Sequence, residues 1–243
     1  QPRGEERLRV EHFSSAGRFE DVSFAVHAGE VVGLSGLVGA GRSEIAQALF
    51  GLDSAVTGKV FVRGKSAGIR SARDAMRHGI GFVPEDRKRQ GLVLSMRTKE
   101  NATLPILDRF ARAGWIDRAA ESGVVTATFE RLRVRASPDA VTESLSGGNQ
   151  QKVVLSKWLA ANCDILILDE PTRGVDVGTK AELHAWIDQK AADGAAVLLI
   201  SSELPELLNV STRIIVLRAG RIIGEVTREN ATQDGLLRMM AGL

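Results

Sequence analysis

The segment GLVGAGRS, Gly36 to Ser43, has residue types that suit polyphosphate binding. It matches the spacing G-x-x-x-x-G-K-[ST] at every fixed position except the seventh, where Arg42 replaces lysine. Glycines let successive backbone N–H groups wrap an anion at a helix N-terminus, and the hydroxyl of Ser43 is placed to hold Mg²⁺. Taken alone, the match is equally consistent with a glycine turn before a helix. The candidate phosphate-binding residues are Gly36, Gly39, Ala40, Gly41, Arg42 and Ser43.

Two carboxylates end the apolar run ILILDEP, Ile165 to Pro171. Open α/β sheets assemble ligand sites at the carboxyl ends of their strands. Asp169 suits a metal ion, directly or through water, and Glu170 suits activation of an attacking water as a general base. By itself the pair is also consistent with a helix cap or a solvated turn.

A polar glycine turn, LSGGNQQK from Leu145 to Lys152, leads into a predicted helix. Such a turn exposes the Ser146 hydroxyl and several backbone N–H groups, which together form an anion site. The plain alternative is a serine-capped helix with a flexible lead.

The elements around these segments predict an α/β fold with a mainly parallel sheet. Residues 5–29 indicate an N-terminal antiparallel β-subdomain, and the later alternation of strands and helices is typical of βαβ units. We expect 1–85 and 150–243 to form the β-subdomain and the nucleotide-binding core, and 86–149 to form a helical subdomain. In that subdomain the apolar residues suggest helices through Ile106, Leu107, Phe110, Trp115 and Ile116.

Composition limits the classes of function. The formal net charge is only +2 over 243 residues, which gives no global attraction to nucleic acid. Cys163 is the only cysteine, so an intrachain disulfide and a cysteine-based zinc cluster are excluded. No apolar stretch approaches the roughly 20 residues that cross a bilayer. We therefore expect any membrane role to act through a partner.

The three motifs occur in the order found in ATP-binding cassette proteins, and the resemblance covers essentially the whole chain of 243 residues. LSGGNQQK resembles the family signature. The resemblance implies Mg-ATP as cofactor, ATP hydrolysis, and head-to-tail pairing of two cassettes, so that each ATP lies between one phosphate loop and the other signature. It assigns nucleotide contacts in the signature and the inter-domain aspartate loop to Ser146, Gly147, Gly148, Gln150 and Asp176.

Three positions depart from the usual family residues. Arg42 presents a planar fork where lysine presents a compact ammonium, so it need not fit beside the same phosphates. Glu85 stands where the family usually has glutamine near the metal, and it keeps the ability to bind metal. Ser202 stands at the position of the switch histidine that contacts the γ-phosphate, and it lacks that longer, protonatable reach. The resemblance therefore predicts a weak or inactive site in this chain's own loop.

The combination GAGRS, PEDRK, LSGGNQQK and DEPTRGVDVG resembles the second cassette of tandem importers for ribose, galactose or xylose. That resemblance predicts a first cassette in the same polypeptide, transmembrane permease subunits, an external sugar-binding protein, and a peripheral location on the cytoplasmic face of the membrane. Two alternatives stay open: a nucleotide-binding regulatory module that never hydrolyses, and a cassette ATPase without a transport role.

Two further features allow more than one interpretation. Phe13 is the only aromatic residue near the position where the family stacks adenine, and we favour a core role for it. The run Arg87, Lys88 and Arg89 could bind phosphate, but a solvated face is the expected interpretation.

Overall fold

The computed structural model describes residues 4–112 and 114–243, and the chain divides into two compact units. The first unit takes in the residues up to Phe82, Asp164–Glu170 and Ile187–Leu243. The second unit takes in Val83–Cys163 and Pro171–Trp186, so it contains the predicted helical segment 86–149 and extends beyond it.

Short strands and helices alternate along the described chain. The strands are β1 Glu6–Ser15, β2 Phe19–His27, β3 Val31–Gly36, β4 Thr57–Val62, β5 Lys65–Ser66, β6 Ile80–Val83, β7 Ala111–Arg112, β8 Trp115–Ile116, β9 Ile165–Asp169, β10 Ala196–Ile200, β11 Arg213–Arg218 and β12 Arg221–Thr227. The α-helices are α1 Arg42–Leu49, α2 Ala72–Arg77, α3 Thr98–Thr103, α4 Arg118–Leu132, α5 Gly147–Ala160, α6 Val177–Ala192, α7 Leu204–Val210 and α8 Gln233–Ala241.

Two sheets form the first unit. The antiparallel sheet has the order β2-β1-β4-β5, and the larger sheet has the order β12-β11-β3-β10-β9-β6. In the larger sheet, β11, β3, β10 and β9 pair in parallel, while β12 returns antiparallel to β11. The strands β9 and β10 are continuous apolar runs and are buried along their whole length, as expected of inner parallel strands. The predicted α/β class with a mainly parallel sheet is confirmed.

A buried arginine joins the start of β3 to β11 and β12. Arg213 is 4 % exposed; its Nε donates to Glu30 Oε1 at 2.7 Å, and its Nη1 donates to Glu225 Oε2 at 2.7 Å. Burial alone would raise the pKa of Glu30, but hydrogen bonds from Arg213 and His27 outweigh burial and lower the pKa. This cluster fixes the strand that leads into the glycine loop.

Helices dominate the second unit. Asp117 caps α4 by accepting a bond from Ala120 N at 3.0 Å, and Arg133 ends the helix in the left-handed conformation with φ of 50°. The expected helix through Trp115 and Ile116 is wrong, because these residues form β8, which pairs with β7 in a short hairpin. None of the described helices is long and apolar enough to span a bilayer.

Candidate functional site

Three loops of the first unit emerge side by side from the larger sheet. Strand β10 lies between β3 and β9, and Ile200 is opposite both Leu34 and Asp169 in the parallel registers. The glycine loop after β3, Ser201 and Ser202 after β10, and Glu170 after β9 therefore leave the sheet at the same edge. This edge is the carboxyl end of the strands, where open α/β sheets bind ligands.

The glycine loop leaves the first turn of α1 open to an anion. Gly39 and Gly41 have φ values of 80° and 96°, which a residue with a Cβ rarely adopts. Gly41 is the N-cap of α1 and has no side chain, so it makes no cap bond to the N–H groups of the first helical turn. A Cβ on Gly36 would lie 2.8 Å from Leu217 O, so packing excludes a larger residue there. The loop is thus suited to a phosphate.

Arg42 is bonded to the protein at the same strand ends. Its Nη1 donates to Ser201 O at 2.9 Å, and its Nη2 lies 4.0 Å from Glu170 Oε1. The side chain is only 11 % exposed. The guanidinium, which stands where the motif has a phosphate-binding cation, therefore donates to a main-chain carbonyl and lies near a carboxylate.

Glu170 is held at both of its oxygens. Arg42 lies beside Oε1, and the Ser202 hydroxyl donates to Oε2 at 3.1 Å. The backbone of Glu170 is left-handed, with φ of 49°, and its N–H donates to Ile200 O at 2.9 Å. Burial raises the pKa of Glu170, and the Ser202 hydrogen bond opposes that rise. The structure thus brings together Glu170, predicted as the general base, and Ser202, which stands at the position of the switch histidine and is also a catalytic candidate.

Asp169 is suited to a magnesium ion. It is 1 % exposed, and burial raises its pKa to about 6, against the hydrogen bond from Ser43. Its Oδ1 is buried and has no hydrogen-bond partner among the residues that the structure describes. An unsatisfied carboxylate oxygen beside a serine hydroxyl fits the oxygen ligands that Mg²⁺ prefers. Ser43 and Asp169 would hold the ion, which would neutralise phosphate charge.

The signature turn lies in the second unit at the start of α5. Ser146 caps this helix by accepting a bond from Asn149 N at 3.4 Å, and Gly147 and Gly148 form its first turn. Gln150, predicted to contact nucleotide, is 3 % exposed, and its Nε2 donates to Thr142 O at 3.2 Å. The hydroxyl and the N-terminal N–H groups are thus the groups the turn offers to a ligand.

Glu85 and Asp176 already have partners in the second unit. Glu85 forms an ion pair with Arg173. Asp176 caps α6, accepting from Thr179 N at 2.9 Å and from the Thr179 hydroxyl at 2.7 Å, and these bonds lower its pKa. Both residues therefore make local structural contacts within the second unit.

Phe13 lies in the core at β1. It is 3 % exposed and packs on Phe19 with ring centroids 5.4 Å apart, so the core interpretation of Phe13 is confirmed.

The turn between β1 and β2 contains Arg18, a residue that the motifs did not indicate. Beside the turn lies a cleft of about 480 Å³ that reaches Gly39 of the glycine loop. Arg18 lines this cleft and donates to Asp53 at 3.1 Å. A single arginine in a turn belongs to no sequence motif, so the sequence did not indicate that Arg18 lines this cleft.

Arg87 is a second residue whose contacts the sequence did not indicate. The run that it begins is solvated at Lys88 and Arg89, as expected. Arg87 is partly exposed and also makes two contacts: its Nη1 donates to Arg173 O at 2.8 Å, and its Nη2 donates to Gly174 O at 3.2 Å. This guanidinium lies next to Gly147 of the signature turn.

Known proteins are similar to the chain over nearly all of its length. The ribose import ATP-binding protein RbsA of Geobacillus kaustophilus is 49% identical over 240 residues, which cover 98% of this chain and 49% of that protein. A putative ribose/galactose/methyl galactoside import ATP-binding protein of Rhizobium etli is 47% identical over 242 residues, covering 99% of this chain and 46% of that protein. The chain spans about half the length of these relatives.

Solved structures share the fold at lower identity. A nucleotide-free ATP-binding cassette from an ABC transporter superposes with a TM-score of 0.78 at 22% identity, covering 97% of this chain and 95% of that chain. The ADP conformation of another ABC transporter cassette gives a TM-score of 0.79 at 23% identity, covering 98% of this chain and 99% of that chain. The family model of the ABC transporter matches residues 19–173, and the chain therefore belongs to the ABC transporter family.

Proposed function

We propose that this chain is an ATP-binding and ATP-hydrolysing cassette that energises the import of a simple sugar through a membrane permease. The names of the similar import proteins support the sugar class. The strand-end site supports nucleotide chemistry, since an open helix N-terminus, Ser43, Asp169 and Glu170 belong to neighbouring loops. ATP is the nucleotide of the family, and Mg²⁺ is the ion we infer at Ser43 and Asp169.

The proposal includes the partners that the family resemblance implies. These are transmembrane permease subunits, a second cassette, and an external sugar-binding protein. The chain spans about half of its relatives, and its motifs resemble those of the second cassette of tandem importers. We therefore infer that the other cassette lies in the same polypeptide and precedes this one. Such an assembly places this chain at the cytoplasmic face of the membrane as a peripheral subunit, without a nucleic-acid partner.

We further propose a division of labour, in which this chain's own phosphate site is degenerate and its signature completes the site of the partner cassette. The observation that carries this proposal is the contact of Arg42 with Ser201 O at 2.9 Å and its approach to Glu170 at 4.0 Å. With Ser202 on its other oxygen, Glu170 is poorly placed to take a proton from water. The signature serine and glycines are intact.

The test compares two substitutions in the full-length protein reconstituted with its permease. Ser146→Ala should lower ATP turnover and sugar uptake strongly, by about tenfold or more, because positioned donors to transferring phosphate have effects of that size. Glu170→Gln should change both by less than about twofold, since the site it serves contributes little turnover. The reverse pattern, with Glu170→Gln severe and Ser146→Ala mild, would falsify the division of labour.

A second candidate is a regulatory module that binds nucleotide without hydrolysing it. The contacts at both oxygens of Glu170 favour it. The isolated 243-residue chain discriminates the two. A slow turnover that Glu170→Gln abolishes supports a hydrolysing cassette, whereas nucleotide binding with no turnover in either form supports the regulatory module.

A further inference from the structure

The first glycine of the signature turn has no room for a side chain. A Cβ on Gly147 would lie 2.6 Å from Nη2 of Arg87 and 2.8 Å from Gly174 O. Only a glycine therefore fits between the start of α5, the guanidinium and the segment that leads to Asp176. The position of the signature turn is set by contact with these two neighbours.

Arg87 joins those neighbours through both terminal nitrogens of its guanidinium. Nη1 donates to Arg173 O at 2.8 Å, and Nη2 donates to Gly174 O at 3.2 Å. Arg173 in turn forms an ion pair with Glu85, two residues before Arg87. The segments 85–87 and 173–174 are thus joined by two reciprocal arginine contacts, and Gly147 packs on one of them.

The turn that carries Arg87 is fixed at both of its ends. Asp86 Oδ1 accepts bonds from Lys88 N and Arg89 N, each at 3.1 Å, and Asp86 O accepts from Gln90 N at 2.9 Å. At the other end, the ammonium of Lys157 on α5 donates to Gly91 O. These bonds hold the backbone of residues 86–91, and the Lys157 bond ties it to α5. The guanidinium of Arg87 therefore has a defined position beside the signature turn.

We propose that Arg87 is a positioning residue for the signature turn. Its planar fork holds the carbonyls of Arg173 and Gly174 at a fixed distance from Gly147, and this aims the Ser146 hydroxyl and the first N–H groups of α5. The inference rests on the proposed function, in which these groups complete a partner cassette's ATP site. A lysine donates from a single nitrogen and cannot span both carbonyls in the same way.

The experiment measures ATP turnover of the full-length protein with its permease. Arg87→Met removes the fork and keeps much of the side-chain volume. We expect kcat to fall about tenfold while KM for ATP changes less than about twofold, because a small misplacement of a catalytic contact lowers the rate by roughly that much. KM is spared because the phosphate loop that binds this ATP belongs to the partner. Arg89→Met is the matched control, since its side chain is 88 % exposed on the same turn, and it should leave both constants unchanged.

Two further measurements separate positioning from a general loss of structure. Arg87→Lys should recover part of kcat. Amide hydrogen exchange at residues 147–149 should become faster in Arg87→Met than in Arg89→Met, while exchange along β9 and β10 stays unchanged. A fall in kcat that Arg87→Lys does not lessen, together with faster exchange throughout the protein, would instead indicate an unfolded variant and overturn the proposal.

Ser146→Ala distinguishes the failure of this inference from the failure of the proposed function. If Ser146→Ala lowers kcat and Arg87→Met does not, the signature serves the partner site but Arg87 does not position it. If neither substitution changes kcat, the signature does not complete an active site, and both proposals fall.

Discussion

At the scale of single residues, the replacement of lysine by arginine at position 42 changes which groups the cation contacts. A lysine ammonium is a compact charge on a flexible stem, whereas a guanidinium is a broad fork that binds two acceptors in one plane. Here the fork lies between Ser201 O and the carboxylate of Glu170. Arg42 thus places its positive charge beside Ser201 O and beside Glu170, the residue predicted to act as the general base.

Arg42→Lys should raise the ATP turnover of the 243-residue chain in the presence of Mg²⁺. The shorter ammonium releases Glu170 and restores a point charge beside the phosphates. We expect an increase of about tenfold, because a charge positioned at the transferring phosphate is worth at least that much. Phosphate release under saturating ATP measures the change.

The matched control carries the second substitution Glu170→Gln. The pair Arg42→Lys with Glu170→Gln should lose the whole increase, because a glutamine amide cannot take a proton from the attacking water. Unchanged turnover in Arg42→Lys alone contradicts the role given to Arg42.

At the scale of elements, the buried cluster around Arg213 keeps β3 in place below the glycine loop. Arg213→Met should lower the free energy of unfolding by about 3 kcal/mol, because it leaves Glu30 buried without its cation. Urea unfolding at pH 7 measures this loss. Arg221→Met is the control, since its ion pair with Glu20 is more than half exposed on both sides and should be worth less than about 1 kcal/mol.

The same substitution has a pH dependence with a definite sign. The pKa of Glu30 is lower in the folded chain than its ordinary value near 4.5. Its contribution is therefore present at neutral pH and is lost as the pH falls through the folded-state pKa. The difference in stability between the wild type and Arg213→Met should narrow in acid, and a difference that stays constant from pH 7 to acid unfolding contradicts the prediction.

Lys157 gives a pH dependence of the same sign on the alkaline side. Burial lowers the pKa of Lys157 to about 8, whereas a lysine in an unfolded chain has a pKa of about 10.4. Between these values the unfolded chain binds more protons, so stability rises with pH. Lys157→Met should lack this rise when urea midpoints are compared at pH 7, 8.5 and 10. Lys59→Met, at an exposed position, should keep it.

The sequence predicted the elements better than the contacts. The continuous apolar run from Ile165 indicated β9, and the glycine loop indicated the start of α1, because these patterns are local. The β7–β8 hairpin was missed because Trp115, an aromatic residue expected to be packed in a helix, is 81 % exposed there. The contact of Arg42 with Ser201 spans 159 positions and depends on β10 lying beside β3, which no local pattern reveals.

At the scale of the whole molecule, the residues proposed to bind nucleotide are divided between the two units. The first unit has the glycine loop and the acidic pair, and the second has the signature and Asp176. In the proposed head-to-tail arrangement, each half requires the other half from a second cassette. Two copies of this chain would then combine intact signatures with two altered phosphate loops.

We call the chain repaired when Arg42→Lys restores the usual lysine of the phosphate loop. A repaired chain that cannot hydrolyse ATP should consequently form a homodimer. With Arg42→Lys and Glu170→Gln combined, ATP is held but not consumed, and we expect dimers in sedimentation velocity with ATP and monomers without it. The unmodified chain should stay monomeric under both conditions. Adding Ser146→Ala to the repaired chain should abolish dimerisation, and dimers that persist without Ser146 contradict the proposed geometry.

The left-handed backbone of Glu170 has a consequence for any selection of variants by heat resistance. A glutamate with φ of 49° is held in a conformation that costs roughly 1 kcal/mol and that glycine or asparagine adopts more readily. In addition, glycine and asparagine have no side-chain carboxylate that would lose its hydration at this partly buried position. A thermostability screen of this chain would thus enrich Glu170→Gly and Glu170→Asn, and its best survivors would have lost the group that any remaining chemistry at this site requires.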